Sequence, residues 1–237
     1  MLPALSAQLR TAAAAPLRRR PIALALSTSS PSPTTTMPSA ARASSHTAAP
    51  PPGNPLAADK YLEGKAKAFA WLRDNGFPED SAVECPVAWG EMDANAHVNN
   101  SVYFRWLESG RLANLNALAD QLPSPSDAAA LRGNGKGKGP ILARITFDYG
   151  LPVAYPDNVL VAHKCKQVGA KKMVSQAVVY SYAQQCVVGT SDSVVVSYDY
   201  DNGRSCPWPT SLVDLVVERG AERLESSAGK GSRAAKL

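Results

Sequence analysis

The stretch Trp89-Gly-Glu-Met-Asp-Ala-Asn-Ala-His-Val-Asn-Asn-Ser-Val-Tyr-Phe-Arg-Trp-Leu-Glu108 changes character half-way along. Its first half sets Glu91, Asp93, Asn95, His97, Asn99 and Asn100 within ten residues. Its second half continues to about Ala119 as an apolar helix with Val102, Tyr103, Trp106, Leu107, Leu112, Leu115 and Leu118. Apolar residues fall on most faces of that helix, so other structure must wrap it. Gly110 costs about 1 kcal/mol in a helix interior relative to Ala, a cost that makes sense where a sheet approaches closely.

A carboxylate just ahead of a helix amino terminus has chemical meaning. Unpaired backbone N–H groups and the positive end of the helix dipole hold developing negative charge there. Hydrolysis of an acyl thioester needs such a pair: a group that activates water or attacks directly, and donors aimed at the oxyanion. The plainer alternative is structural. Asn and Asp cap helices and form turns, so Asn99 or Asn100 can simply satisfy the first turn, and His97 can be a structural hydrogen-bonder.

Outward from this segment, Asp59 to Asn75 has helical spacing in Tyr61, Leu62, Phe69 and Leu72, with Asn75-Gly76 as a stop. Ser81 to Trp89 reads as extended. Beyond the central helix, residues 121–140 read as a loop, marked by Pro123, Pro125 and a Gly-rich run. The period then changes to two: Ile141, Ala143, Ile145 and Phe147 alternate with Arg144, Thr146 and Asp148. Further strands fit Asn158 to Val168, Lys172 to Ala183 and Cys186 to Tyr200, and Leu212 to Glu218 can form a closing helix. One buried helix followed by long antiparallel strands is an α+β layout.

Composition separates three parts: residues 1–58 as a leader, 59–222 as the folded domain, and 223–237 as a flexible tail. The first part is rich in Ala, Ser, Thr and Pro and buries too little apolar surface to offset its chain entropy. It has no acidic residue, and Arg10, Arg18, Arg19, Arg20 and Arg42 account for the whole net charge of +5. The remaining chain balances, so the basic pI does not signal a nucleic-acid partner. An Arg- and Ser-rich, acid-free start has the composition of a mitochondrial transit peptide, and the terminal Ala235-Lys236-Leu237 is similar to peroxisomal Ser-Lys-Leu signals. Initiation at Met37 would delete Arg18 to Arg20 and keep the tail, which gives an expectation of two addresses, testable with separate amino- and carboxyl-terminal reporter fusions.

No apolar run is long enough for a transmembrane helix. Cys85, Cys165, Cys186 and Cys206 are scattered without a Cys-x-x-Cys pair, so neither a zinc site nor a disulfide framework is indicated.

The segment 89–108 resembles the active-site region of 4-hydroxybenzoyl-CoA thioesterase-like hotdog proteins, in which a Trp-Gly-Asp-Met-Asp-like stretch leads into His-Val-Asn-Asn and a Tyr- and Phe-rich helix. It is also similar to the Asp-x-Asn-x-His-Val-Asn-Asn stretch of plant acyl-carrier-protein thioesterases. The resemblance in order of elements runs from about Val83 to Tyr200 and includes the link Leu151-Pro-Val-Ala-Tyr-Pro-Asp157.

It implies a hotdog fold, with a curved antiparallel sheet wrapped around helix 101–119 and subunits pairing as a homodimer or homotetramer. It further implies acyl-CoA or acyl-carrier-protein as substrate, without a cofactor or metal. On that resemblance Asp93, Asn95 and His97 are the candidate catalytic residues: Asp93 as general base or nucleophile, Asn95 orienting substrate or water, His97 hydrogen-bonding within the site. Backbone N–H groups near Val98 to Ser101 would polarise the carbonyl. Asn99, Asn100, Ser101, Tyr103 and Asp148 are the candidate substrate-binding residues.

Glu91 stands where the family usually has Asp, and Asp148 and Tyr149 fall where the plant enzymes place a Glu-Cys pair. Glu108 either points inward or pairs with Arg105 or Arg111. Lys136, Lys138, Lys164, Lys166, Lys171 and Lys172 are candidates for a phosphate-binding patch beside the mouth. Two other readings stay open: a hotdog hydratase or dehydratase, whose Asp–His spacing is one residue longer, and a non-catalytic acyl-binding protein on the same fold.

Overall fold

The computed structural model describes residues 49–133 and 135–225. The leader arginines and Ala235-Lys236-Leu237 lie outside the described residues. The elements run in the order α1 (Ala58–Asp74), β1 (Val83–Pro86), α2 (Asn100–Ala119), α3 (Pro125–Arg132), β2 (Lys138–Tyr149), β3 (Asn158–Val168), β4 (Lys172–Ser181), β5 (Cys186–Asp199), β6 (Arg204–Ser205), α4 (Thr210–Glu218) and β7 (Glu222–Arg223). The main sheet has the order β1-β3-β4-β5-β2 with antiparallel pairing throughout, which leaves β2 as a free edge. With α2 laid along one face, this is the hotdog arrangement expected from the sequence.

Alternation along the strands decides what each face buries. Val159, Val161, Ala177 and Val179 point inward and pack against Val102, Tyr103, Trp106 and Leu107 of α2. Leu160, Ala162, Val178, Tyr180 and Tyr182 point outward and are buried under α1, through Tyr61, Ala68, Phe69 and Leu72. Both faces of β3 and β4 are therefore dry, which explains why these strands read as nearly continuous apolar runs.

Two glycines set the helix–sheet distances. A Cβ on Gly110 of α2 would lie 2.7 Å from Val161 Cγ1, and one on Gly64 of α1 would lie 2.5 Å from Tyr182 Cβ. The close approach expected at Gly110 is present, and Gly64 performs the same service on the opposite face.

Three differences from the expectation have physical causes. Within 121–140, Pro125–Arg132 is a helix, because Ser124 caps it through Asp127 N–H and Pro125 takes the first helical position, where its missing N–H costs nothing. Ser81 to Trp89 is not one extended run: short 3-10 turns at Glu79–Ser81 and Trp89–Glu91 flank a four-residue strand. The helix α2 is not wrapped all round within one chain, since Leu112 is 49 % and Phe104 40 % exposed. Of the two arginines open to Glu108, Arg105 reaches Glu91 instead, at 3.4 Å, and it is Arg111 whose charge Glu108 favours.

Candidate active site

Residues Met92 to Val98 fold into a tight loop closed by a bridge between Met92 and Val98. Asp93 N–H donates to His97 O at 2.8 Å, and Ala96 N–H to Asp93 O at 3.1 Å. Ala96 sits at φ 58°, a left-handed position that permits so short a reversal. Asn95 N–H donates to Asp93 Oδ1 at 2.7 Å, so the Asp side chain is built into the turn it heads.

Glu91 anchors the approach to this loop. Its Oε2 accepts from Ala88 N–H at 3.0 Å, its carbonyl accepts from Asn99 N–H at 2.9 Å, and its Oε1 faces Arg105. The longer Glu side chain thus closes its own 3-10 turn and lies beside the site rather than in it.

The loop delivers the chain to the amino terminus of α2. Asn99 is the cap: its Oδ1 accepts from Ser101 N–H at 3.0 Å and from Ser101 Oγ–H at 2.7 Å. Val98 N–H is spent on Val153 O and Asn99 N–H on Glu91 O. Among the amides from Val98 to Ser101, that of Asn100 is the one without an acceptor among the described residues, as the first position of a helix allows.

These pieces surround one cleft of about 410 Å³, lined by Asp93, Asn95, His97, Val98, Asn100, Tyr103, Tyr149, Gly150, Leu151 and Pro152. Asp93 is half-buried, while Asn95, His97 and Asn100 are exposed at the rim. Asp93 and Asn100, whose amide has no acceptor among the described residues, therefore line one space open to solvent. Larger pockets of about 450 and 510 Å³ lie elsewhere, beside Trp71 and Phe77 and beside Trp208; the second also sets a carboxylate, Asp127, near the amino terminus of α4, but its lining has neither the histidine nor the asparagines of this cleft.

A family model described as the Thioesterase-like superfamily matches residues 87–216, more than half of the chain. The chain belongs to the thioesterase-like superfamily. Thioester hydrolysis is the activity this membership supports, and the match begins two residues before Trp89. No curated protein matches the chain.

Solved structures similar to it include a thioesterase candidate from Pseudomonas aeruginosa (28 % identity, 57 % of this chain and 96 % of that one, TM-score 0.47). Others are a predicted thioesterase from Bacillus stearothermophilus (21 %, 60 % and 96 %, 0.49) and a Thermus thermophilus thioesterase complexed with coenzyme A and zinc (20 %, 57 % and 95 %, 0.46). The family assignment rests on the match over 87–216.

Of the residues singled out from sequence, this thioesterase-family chain brings Asp93, Asn95, His97, Asn100 and Tyr103 to the cleft. Asn99 and Ser101 are outside its lining and face each other as cap and capped residue. Asp148 is exposed and also outside it, whereas its neighbour Tyr149 lines the cleft. Strand alternation is the reason: Tyr149 shares the inner face with Phe147 and Ile145, and Asp148 turns the other way.

None of the six lysines lines the cleft. The strand registers put Lys138 and Lys172 toward the end of the sheet remote from Tyr149 and Gly189, whereas Lys166 sits mid-sheet and reaches Asp192 at 3.5 Å.

Sequence reasoning passed over Tyr149, Leu151 and Pro152 as lining residues. A signal existed, since the resemblance to plant acyl-carrier-protein thioesterases singled out Asp148 and Tyr149 together. Burial pushes the hydroxyls of Tyr103 and Tyr149 above the ordinary phenol range, so both are neutral hydrogen-bond donors. Burial, with Glu91 and Glu84 adding to it, pushes the Cys85 thiol up to about 12, so it offers no thiolate nucleophile at neutral pH. Among the described residues no group of three His, Cys, Asp or Glu could hold a metal ion. No helix of the described residues is long and apolar enough to cross a membrane.

Proposed function

We propose that this cleft hydrolyses acyl-CoA, or acyl groups on a carrier protein, to the free acid and the thiol, with Asp93 as general base. The observation that carries the reading is the shared cleft of the half-buried Asp93 carboxylate and the unspent amide of Asn100. Asp93 takes a proton from water as the water oxygen bonds to the thioester carbonyl carbon. The carbonyl oxygen gains the negative charge and is held by Asn100 N–H at the positive end of α2. Collapse of the tetrahedral species breaks the C–S bond, and the departing sulfur regains the proton from Asp93.

Asn95 and His97, on the same loop, orient water and substrate. Direct attack by Asp93 to expel the thiolate and give a mixed anhydride uses the same geometry and differs in that water then attacking the aspartyl carbonyl leaves one solvent oxygen on the enzyme carboxylate and sends an Asp93 oxygen out with the acid.

The working unit is a homodimer in this reading. Among the described residues the long strand β2 has no neighbour on its outer side and carries Ile141 and Leu142 at the surface, and exposed edges of that kind are paired or protected in stable proteins. Trp89, 73 % exposed and edge-on to Tyr155 at 5.5 Å, adds further exposed apolar surface.

The test offers acyl-CoA and enoyl-CoA substrates to the purified full chain and follows free thiol and enoyl absorbance together. Thiol release is the expected result. Loss of enoyl absorbance without thiol release would replace hydrolysis by hydration, and binding without either would leave an acyl-binding protein.

A further inference from the structure

The inner side of the cleft is closed by aromatic rings. Tyr103 stands 5.2 Å from Tyr149 and 5.1 Å from Phe147, ring centre to ring centre, and Tyr149 stands 4.6 Å from Phe147. Tyr103 and Tyr149 line the cleft, and Phe147 lies one step further along the inner face of β2, against the core under α2. A chain entering between α2 and the sheet would have to pass through these three rings to reach Ile145.

The rings are fixed in place rather than loosely stacked. Tyr149 Oη donates to Asn100 O at 3.2 Å, tying the ring to the first residue of α2. Tyr103 Oη accepts from Val153 N–H at 3.4 Å, tying the second ring to the link that forms the opposite wall. Phe147 rests on the backbone of Gly189, where even a Cβ would lie 2.2 Å from Phe147 Cζ. No adjacent space remains into which Phe147 could retreat on that side.

We infer that the acyl group accepted by this site is compact, a short chain or a single ring, because the Tyr103–Tyr149–Phe147 cluster fills the path a long alkyl chain would take beneath α2. This inference rests on the proposed thioester hydrolysis at Asp93. It makes Phe147 a specificity-determining residue that touches neither the water nor the thioester carbon. A compact acyl group instead packs on Val98, Leu151 and Pro152 at the cleft wall.

The experiment measures kcat/KM of the full chain for acetyl-, butanoyl-, benzoyl-, octanoyl-, dodecanoyl- and hexadecanoyl-CoA, alongside Phe147→Ala and Tyr149→Phe. The wild type is expected to lose roughly tenfold or more between butanoyl and dodecanoyl, the scale on which pocket fit discriminates. Phe147→Ala should narrow that ratio by a comparable factor through faster turnover of the long substrates, while Tyr149→Phe, which keeps the ring and loses only its tie to Asn100 O, should narrow it far less.

A wild type that prefers dodecanoyl or hexadecanoyl would overturn the inference and leave the hydrolytic reading standing. An unchanged ratio in a folded Phe147→Ala protein would overturn it equally. If that variant does not fold, the wild-type profile decides alone. No turnover of any thioester would remove the hydrolytic reading, and this inference with it.

Discussion

The amide of Asn95 donates to Oδ1 of Asp93 at 2.7 Å, which ties one carboxylate oxygen to the turn and leaves Oδ2 for a ligand. The side chain proposed to act on water is thus held by its own loop rather than by a partner brought from elsewhere in the fold. Its position depends on the reversal at Ala96.

Ala96 at φ 58° is the hinge of that reversal. Ala96→Gly fits the left-handed position at least as well and should keep kcat/KM within about twofold, whereas the β-branched Ala96→Val suits it poorly and should cost roughly tenfold or more. Steady-state kinetics on the two variants separates the outcomes. Equal activity in both would show that the loop conformation does not set the carboxylate.

Asn99 caps α2 and presents the helix end to the cleft. Removing the cap in Asn99→Ala should cost about 1 kcal/mol of stability by urea unfolding. It should also lower kcat, because Ser101 N–H loses its acceptor and the first turn frays beside Asn100. Asn99→Asp restores an acceptor and should recover most of the stability.

The helix α1 lies on the outer face of the sheet through Gly64, where an added Cβ would meet Tyr182 Cβ at 2.5 Å and its carbonyl oxygen at 2.6 Å. Gly64→Ala should therefore destabilise the fold by about 1–3 kcal/mol despite the better helix propensity of Ala. Denaturant unfolding checks this. A stabilised variant would mean that α1 does not sit so close.

His163 is 1 % exposed on the inner face of β3, with Nε2 donating to Leu107 O at 3.1 Å. Burial first, then the nearby Arg111 guanidinium, lowers its pKa to about 3 from 6.5. A base whose folded pKa is depressed gives stability that is complete above the unfolded pKa and is lost as pH falls from 6.5 toward 3, because the unfolded chain binds the proton first. Moving from pH 7.5 to pH 5 should therefore remove about 2 kcal/mol through this residue. Unfolding free energies at the two pH values, compared with His163→Gln, test the size and sign of the effect.

Much of this architecture was readable because its signals are local. The strand Asn158–Val168 was bounded correctly by its apolar run, and α2 by the polar-to-apolar change at Asn100 and Ser101. What escaped was set by contacts distant in sequence. Nothing near Asp59 to Asn75 says that this helix covers the outer face of β3 and β4; that follows from Tyr180 and Tyr182 needing a partner a hundred residues away.

The site divides in the same way. The loop 93–97 writes its own geometry through turn and cap bonds, so its polar residues could be named in advance. The opposite wall comes from β2 and the 150–152 link, and choosing Tyr149 over Asp148 required the strand's orientation. The helix Pro125–Arg132 was hidden by its prolines and glycines, although Ser124-Pro125 is a capping signal in its own right.

The central claim, that the Asp93 carboxylate performs the chemistry, is met most directly by following thiol release from an acyl-CoA with the wild type and Asp93→Asn. The Asn side chain can still accept from Asn95 N–H, so the loop is preserved while the base is removed. The expected result is a fall in kcat of about a hundredfold or more at unchanged thermal stability, since loss of a general base costs roughly 10²–10⁴. Wild-type turnover by the Asn variant would contradict the account.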